Sequence, residues 1–316
     1  MSATANAIAN RRPLRGRTAL ITGATAGIGY ETARALACSG ARVLITGRDP
    51  ANGERATATL ARDCGADSAA FLRADHGTVG GNQDLADRVR ATVARLDVLV
   101  NNVGGLYSHR QETADGYEAT LAMNFVGPYT LTAELLPLLT EGGPSRCVNV
   151  VSAGFKMWKT DPFTDLHSTD QFVSGDAYAH TKLLNVLASL AWARRLAPDN
   201  VTVNLVHPGM SWTPMTASMT AQTIPSMRLI WPVLRFWQRH ASPVKAGRRV
   251  AFVASSSDTA AYTGRYIEGR AAPNRLSERE LDLDNQDLAW TLGEELMTTA
   301  PTHHDRQTPG RKVSPR

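Results

Sequence analysis

Apolar positions along this chain fall into short runs separated by longer stretches of mixed character. Residues 18–21 form one such run, and others follow at 41–46, 69–74, 97–101, 147–151 and 201–206. Runs this short, rich in Val, Ile and Leu, read as buried strands. Between them apolar residues recur at helical spacing, over 27–39, 51–65, 83–95, 112–139, 176–196 and 277–298. Gly40 closes the first of these helices, Asp49 before Pro50 caps the second, and Asp176 is placed to cap the fifth. The longest carries Asn124 in its apolar middle, where an unpaired amide would cost about 1–3 kcal/mol and so needs a partner. Alternating strands and helices predict an α/β fold: a doubly wound parallel sheet of roughly seven strands, flanked by helices in a single domain over 16–270. Residues 1–15 read as disordered, 271–299 as a C-terminal extension with a helix, and 300–316 as a mobile tail.

Composition narrows the class. The chain has 316 residues and 43% hydrophobic content, enough for a substantial core. Its 34 basic and 29 acidic residues give +5, but the excess lies at the ends, in Arg11, Arg12, Arg15 and Arg17 and in Arg306, Arg311, Lys312 and Arg316. With no compact basic cluster among aromatics, nucleic acid is not an expected partner. Cys38, Cys64 and Cys147 have neither metal-ligand nor disulfide spacing and read as free thiols of a reducing, cytoplasmic setting. His303 and His304 read as tail, and no metal is expected. There is no apolar run of about 18 residues for a membrane span, and residues 1–10 lack a signal-peptide core.

The candidate chemistry gathers where such sheets bind ligands, at the carboxyl ends of strands. The first strand runs into Thr22-Gly-Ala-Thr-Ala-Gly-Ile-Gly29 and then a helix, the context of a dinucleotide loop. Gly23 suits the tight turn, Gly27 a close pyrophosphate, and Gly29 close helix packing; Thr25, Ala26 and Ile28 complete the loop. The helix start offers free N–H groups to phosphate. The second strand ends in Gly47-Arg48, which lacks the carboxylate that holds a ribose diol and supplies a guanidinium suited to a 2′-phosphate, so NADP(H) is expected over NAD(H). Asp75 and His76, and Asn102, Val103 and Gly104, end the third and fourth strands on the same rim. Tyr178 and Lys182, four apart, share one helix face. An ammonium beside a phenol favours the phenolate, which would bring Tyr178 below its ordinary pKa of about 10 and suit it to acid–base catalysis.

Taken in order, these motifs resemble the classical short-chain dehydrogenases/reductases, most of all the retinol-dehydrogenase-like reductases. Thr22 to Gly29 is similar to their cofactor loop, and Asn101-Asn102-Val103-Gly104 to their Asn-Asn-Ala-Gly turn, with Val for Ala. Asn124, Ser152, Tyr178 and Lys182 match their catalytic tetrad, and Pro208, Gly209 and Thr213 their nicotinamide motif. The resemblance implies that Tyr178 exchanges a proton with the substrate oxygen and that Ser152 donates a hydrogen bond to it. Lys182 would lower the Tyr178 pKa and bind the nicotinamide ribose, and Asn124 would hold a water that links Lys182 to solvent. It also implies a homodimer packed on the apolar back of the Tyr178 helix. Thr181 replaces the Ser common in that group.

Residues 214–240 carry Met215, Met219, Met227, Trp231, Phe236 and Trp237, broken by Arg228, Arg235 and Arg239. They read first as a helical substrate lid, then as a core helix, and only third as an amphipathic helix on a membrane surface. Phe155 to Trp158 would form a second apolar wall. A bulky lipophilic substrate follows from both, for carbonyl reduction or alcohol oxidation. Two rivals stay open: an isomerase, dehydratase or cyclase on the same scaffold, and a non-catalytic cofactor sensor.

Overall fold

The computed structural model describes residues 13–141, 143–209, 211, 217, 241–269 and 272–300. The predicted strands are β1 (Thr18–Ile21), β2 (Arg42–Gly47), β3 (Ala69–Arg73), β4 (Val98–Asn101), β5 (Ser145–Val150) and β6 (Val201–His207). Two more, β7 (Tyr266–Glu268) and β8 (Pro273–Asn274), are too short for periodicity to reveal. All join one sheet in the order β3-β2-β1-β4-β5-β6-β7-β8, parallel except for the β7–β8 pair. The chain winds outward from β1 to β3 and then crosses to β4, so a crevice opens at the carboxyl ends of β1 and β4.

Alternate strand residues feed two cores. Ala19, Ile21, Val43 and Ile45 face one, which α1 (Gly27–Cys38), α2 (Pro50–Cys64) and α7 (Pro243–Ser255) cover. Leu20, Leu44 and Leu99 face the other, under α3 (Val79–Thr92), α4 (Gly127–Glu134), α6 (Ser174–Leu196) and α9 (Leu283–Thr299). Two short helices, α5 (Leu136–Thr140) and α8 (Glu278–Leu281), are also among the described residues.

Several expectations are corrected. The stretch 112–139 is not one helix. Glu112 and Glu118 close a turn by an isolated bridge, and the buried Glu118 carboxylate caps the helical turn that follows by accepting from the N–H groups of Thr120 and Leu121, both at 2.9 Å. A π-turn (Ala122–Val126) precedes α4, and the helix breaks again at Leu135, ahead of Pro137, whose ring lacks the N–H to continue it. Asp176 does not cap α6; the cap position is Val173, and Asp176 lies in the first turn, where its charge still suits the helix dipole. Residues 13–15, expected as part of the disordered start, instead lie in a turn in which the Leu14 N–H donates to the Ser39 carbonyl at 3.0 Å. Cys38 and Cys64 are not free thiols: they form a disulfide between the ends of α1 and α2, with Cα atoms 4.5 Å apart. Adjacent helices bring them together, so their spacing along the chain gives no hint, and the free-thiol argument for a reducing compartment falls with this bridge. Cys147 remains a buried thiol. The segment 1–12, the lid at 214–240 apart from Ala217, and the tail from 301 lie outside the described residues.

The apolar back of α6, offered above for a homodimer, is covered by this chain's own α9. Trp290 packs 4.2 Å from Trp192 and 5.8 Å from Tyr129, ring centre to ring centre. Gly293 passes so close to Tyr129 that a Cβ there would sit 2.4 Å from its ring. Arg194 ties the helices at the rim through Gln286 (2.9 Å) and Asp287 (2.7 Å). Light scattering is therefore expected to give a mass near 34.1 kDa; a doubled mass would mean that two copies meet through another face.

Candidate active site

The loop between β1 and α1 is built for close approach. Gly23 and Gly27 have φ of +62° and +61°, in the left-handed region that favours glycine. A Cβ on Gly29 would fall 2.5 Å from Asn102 Nδ2 and 2.7 Å from the Gly23 carbonyl. Val103, bulkier than the Ala of the resembling turn, adds its own demand: a Cβ on Gly23 would meet its Cγ2 at 2.8 Å. Thr22 locks the two rims together. Its hydroxyl accepts from the N–H groups of Asn102 (2.9 Å) and Val103 (3.0 Å), and its carbonyl accepts from Asn102 Nδ2 at 2.8 Å. The cap position of α1, Ala26, makes no side-chain hydrogen bond, and no acidic residue sits in the first turn. Left-handed glycines, crowded Cβ positions and a helix start without a side-chain cap fit a dinucleotide pyrophosphate.

At the far end of this cradle, Gly47 has Thr25 against it; a Cβ would lie 2.7 Å from Thr25 Cγ2. Arg48 is exposed, and Asp49 caps α2 by accepting from the Ala51 N–H at 2.9 Å, as its sequence position suggested. Arg73, at the end of β3, donates from Nε to the Arg48 carbonyl at 3.3 Å and brings a second cation that linear order hides. Asp75 is exposed on the same rim and accepts from the Gly77 N–H. His76 is a correction: its ring is buried, with Nε2 2.7 Å from the Thr46 hydroxyl and Nδ1 2.9 Å from Asn82 Oδ1. Both nitrogens are taken, so its side chain is not free to touch a cofactor. Burial pushes its pKa down. Its part is to hold Thr46, whose hydroxyl accepts from the Gly23 N–H at 3.1 Å.

Asn124, Ser152, Tyr178 and Lys182 converge beyond the ends of β4 and β5. A Cβ on Gly104 would be 3.1 Å from Asn124 Oδ1 and 3.3 Å from Lys182 Nζ, and one on Gly154 would be 3.3 Å from Ser152 Oγ and 3.8 Å from the Tyr178 ring. Lys182 Nζ donates to the Val150 carbonyl at 3.2 Å and lies 5.8 Å from the Tyr178 ring centre. Burial lowers the Lys182 pKa from 10.5 to about 8. Burial also pushes the Tyr178 phenol up, with the Ser152 hydroxyl opposing it. That is opposite to the direction expected from a lysine neighbour: desolvation in this packed site leads, and the opposing effect comes from the Ser152 hydroxyl. The buried Asn124 amide is satisfied by protein groups. Oδ1 accepts from the Gly105 N–H at 2.9 Å, and Nδ2 donates to the Gly105 carbonyl at 2.9 Å and to Thr181 Oγ1 at 3.1 Å.

Residues beyond the sequence motifs hold this frame. His207 Nδ1 accepts from the Ala153 N–H at 3.3 Å, beside Ser152, and Arg249 donates to the Pro208 carbonyl. Gly209 follows with φ of +89°; Thr213 lies outside the described residues. The second apolar wall is only partly as expected. Phe155 turns into the core against Tyr266, Lys156 pairs with Glu268 at 3.5 Å, and Trp158 stacks on His180 at 4.4 Å. Met157 stays 42% exposed. No described helix is long and apolar enough to cross a membrane.

A glycine cradle on one side of the switch point and a Tyr–Lys pair with a serine on the other define a dinucleotide-dependent oxidoreductase. The family model for short chain dehydrogenases matches residues 17–224, and this chain belongs to that family. It is an enzyme acting on alcohols or carbonyls with a nicotinamide dinucleotide. Human retinol dehydrogenase 12 is 39% identical over 197 residues, 62% of this chain and 62% of that protein. Mouse retinol dehydrogenase 14 is 34% identical over 291 residues, 89% of this chain and 86% of that one. A crystal structure of a protein from Mycobacterium paratuberculosis superposes with a TM-score of 0.69 at 27% identity, covering 91% of this chain and 95% of that one.

Proposed function

We propose that this protein is an NADP(H)-dependent dehydrogenase/reductase of bulky lipophilic alcohols or carbonyls, with Tyr178 as its general acid or base. The observation that carries the reading is the convergence of Tyr178, Ser152 and Lys182 around Gly104 and Gly154, at the carboxyl ends of β4 and β5. The cofactor, held by the Gly23–Gly29 loop, Asn102 and Lys182, supplies hydride exchange when bound. The chain's own residues do the rest. The Tyr178 phenol gives its proton to the substrate oxygen in reduction and takes it back in oxidation. Ser152 donates a hydrogen bond where charge gathers on that oxygen. Lys182, while charged, offsets the cost of a phenolate beside it. The retinol dehydrogenase relatives and the Met- and Trp-rich 214–240 sequence support a lipophilic substrate. The test is nicotinamide absorbance with a panel of lipophilic ketones, aldehydes and alcohols. Consumption of NADPH matched to product supports the reading, and product without net cofactor loss selects an isomerase or dehydratase instead.

Cofactor choice has its own test. One charge-assisted contact to phosphate contributes about 1.5–3 kcal/mol, so NADPH is expected to bind roughly ten- to a hundredfold more tightly than NADH. Arg48→Ala should remove most of that preference, and adding Arg73→Ala the remainder. Gly47→Asp is a poor probe, because its Cβ would strike Thr25. Fluorescence titration of both cofactors decides it; an unchanged preference in the double variant means that the phosphate is read elsewhere.

A further inference from the structure

Behind the site lies a run of buried polar side chains for which the mechanism above has no use. Asn101 Nδ2 on β4 donates to Thr132 Oγ1 (2.9 Å) and to Asn149 Oδ1 on β5 (2.8 Å). Asn149 Nδ2 donates to Ser189 Oγ on α6 at 2.7 Å. Ser189 Oγ donates to the Asn185 carbonyl at 2.6 Å and lies 3.3 Å from Asn185 Oδ1. Asn185 Nδ2 then donates to the main-chain carbonyl of Asn124 at 2.8 Å. All are at most 7% exposed. Apolar residues would fill this layer between sheet and helix at less risk, since each buried amide must be paired or penalised.

The last link falls on the π-turn. A carbonyl inside an α-helix ordinarily finds its partner within the helix. Here a donor on a different helix reaches it, at the one widened turn among the described residues. The carbonyl only accepts, so Asn185 must present Nδ2, and its Oδ1 is left to Ser189. Asn124 in turn holds both backbone groups of Gly105, and Gly104 lies against Lys182 Nζ. The run starts at Asn101 on β4, next to Asn102, passes Asn149 on β5, three residues before Ser152, and ends at the tetrad asparagine.

We propose that Asn185 is a positioning residue for the reaction, fixing the π-turn so that Asn124 holds the Gly104–Gly105 segment against Lys182. This rests on the dehydrogenase reading above. The test is Asn185→Asp, which is nearly isosteric. Burial raises the pKa of the new carboxyl. Its neutral form offers an O–H to the Asn124 carbonyl, whereas the carboxylate offers only lone pairs. Relative to wild type at the same pH, kcat of the variant is expected to fall about tenfold as pH rises from about 6 to about 9, with little change in cofactor affinity. Hydrogen exchange of the Gly105 amide, taken relative to wild type at the same pH, should quicken over the same range. A variant-to-wild-type ratio that stays flat, in a variant that melts like wild type, overturns the proposal. If wild type turns over no substrate, Gly105 exchange that follows the carboxyl titration still supports the positioning while the dehydrogenase reading fails. Should the Asp variant not fold, Asn185→Ser, whose hydroxyl is too short to reach the carbonyl, replaces it. Wild-type exchange at Gly105 in that variant overturns the proposal.

Discussion

Tyr178→Phe is expected to lower turnover by about 10²–10⁴-fold, the usual contribution of a positioned general acid or base. The substitution keeps the ring that packs beside Gly154 and removes only the hydroxyl, so NADPH affinity should hold. Steady-state kinetics on a substrate verified with wild type, with a parallel cofactor titration, separates the two effects. Near wild-type turnover would remove Tyr178 from the acid–base role, and lost cofactor affinity would assign the hydroxyl to binding instead. The direction of the Tyr178 shift adds a pH dependence. Burial keeps the phenol protonated, so carbonyl reduction should persist through neutral pH and decline only in the alkaline range where the phenol ionises. Alcohol oxidation, which needs the phenolate, should rise over that same range.

The strands and the residues at their ends were legible in the sequence because each strand is a local event. A short apolar run followed by a glycine turn announces both the element and the rim it feeds, and Gly23, Gly47, Asn102 and Ser152 all lie at such ends. What stayed hidden depends on contacts between distant segments. The Cys38–Cys64 bridge needs α1 and α2 side by side. Arg73 joins Arg48 only through the β2–β3 register, which sets Gly47 opposite Arg73. The apolar back of α6 is covered by Trp290 and Gly293, about a hundred residues further along and brought back by α9, a contact that spacing alone does not fix. His76 looked like a rim residue because its strand ends there, yet Thr46 and Asn82 fold over both of its nitrogens. The burial of Tyr178 and Lys182 was hidden for a related reason: a sequence shows the two residues as neighbours, whereas desolvation is a property of the packed site.

Lys182 bears the cost of that packing, and Lys182→Met is expected to make the protein more stable while disabling it. In the unfolded chain the lysine holds its proton up to its ordinary pKa of 10.5, and in the folded chain only up to about 8. Between those values the unfolded state binds more protons, so raising pH through that window favours folding; below about 8 the full cost of burying the ammonium remains. At 1.36 kcal/mol per unit, the drop to about 8 corresponds to about 3 kcal/mol at neutral pH. Methionine has a similar length, fills the same space and carries no charge. It forfeits the bond to the Val150 carbonyl, which returns about 1 kcal/mol of that gain. Urea unfolding of the cofactor-free protein at pH 7 should therefore show a gain of about 2 kcal/mol in the variant, which falls with rising pH and turns into a loss of about 1 kcal/mol near the ordinary lysine pKa, where only the missing hydrogen bond remains. Turnover should fall steeply, since neither the phenolate nor the nicotinamide ribose then has a cation beside it. A variant less stable than wild type at pH 7 would mean that the folded site favours the Lys182 ammonium, and the charge would then have to be placed among the forces that hold the fold together.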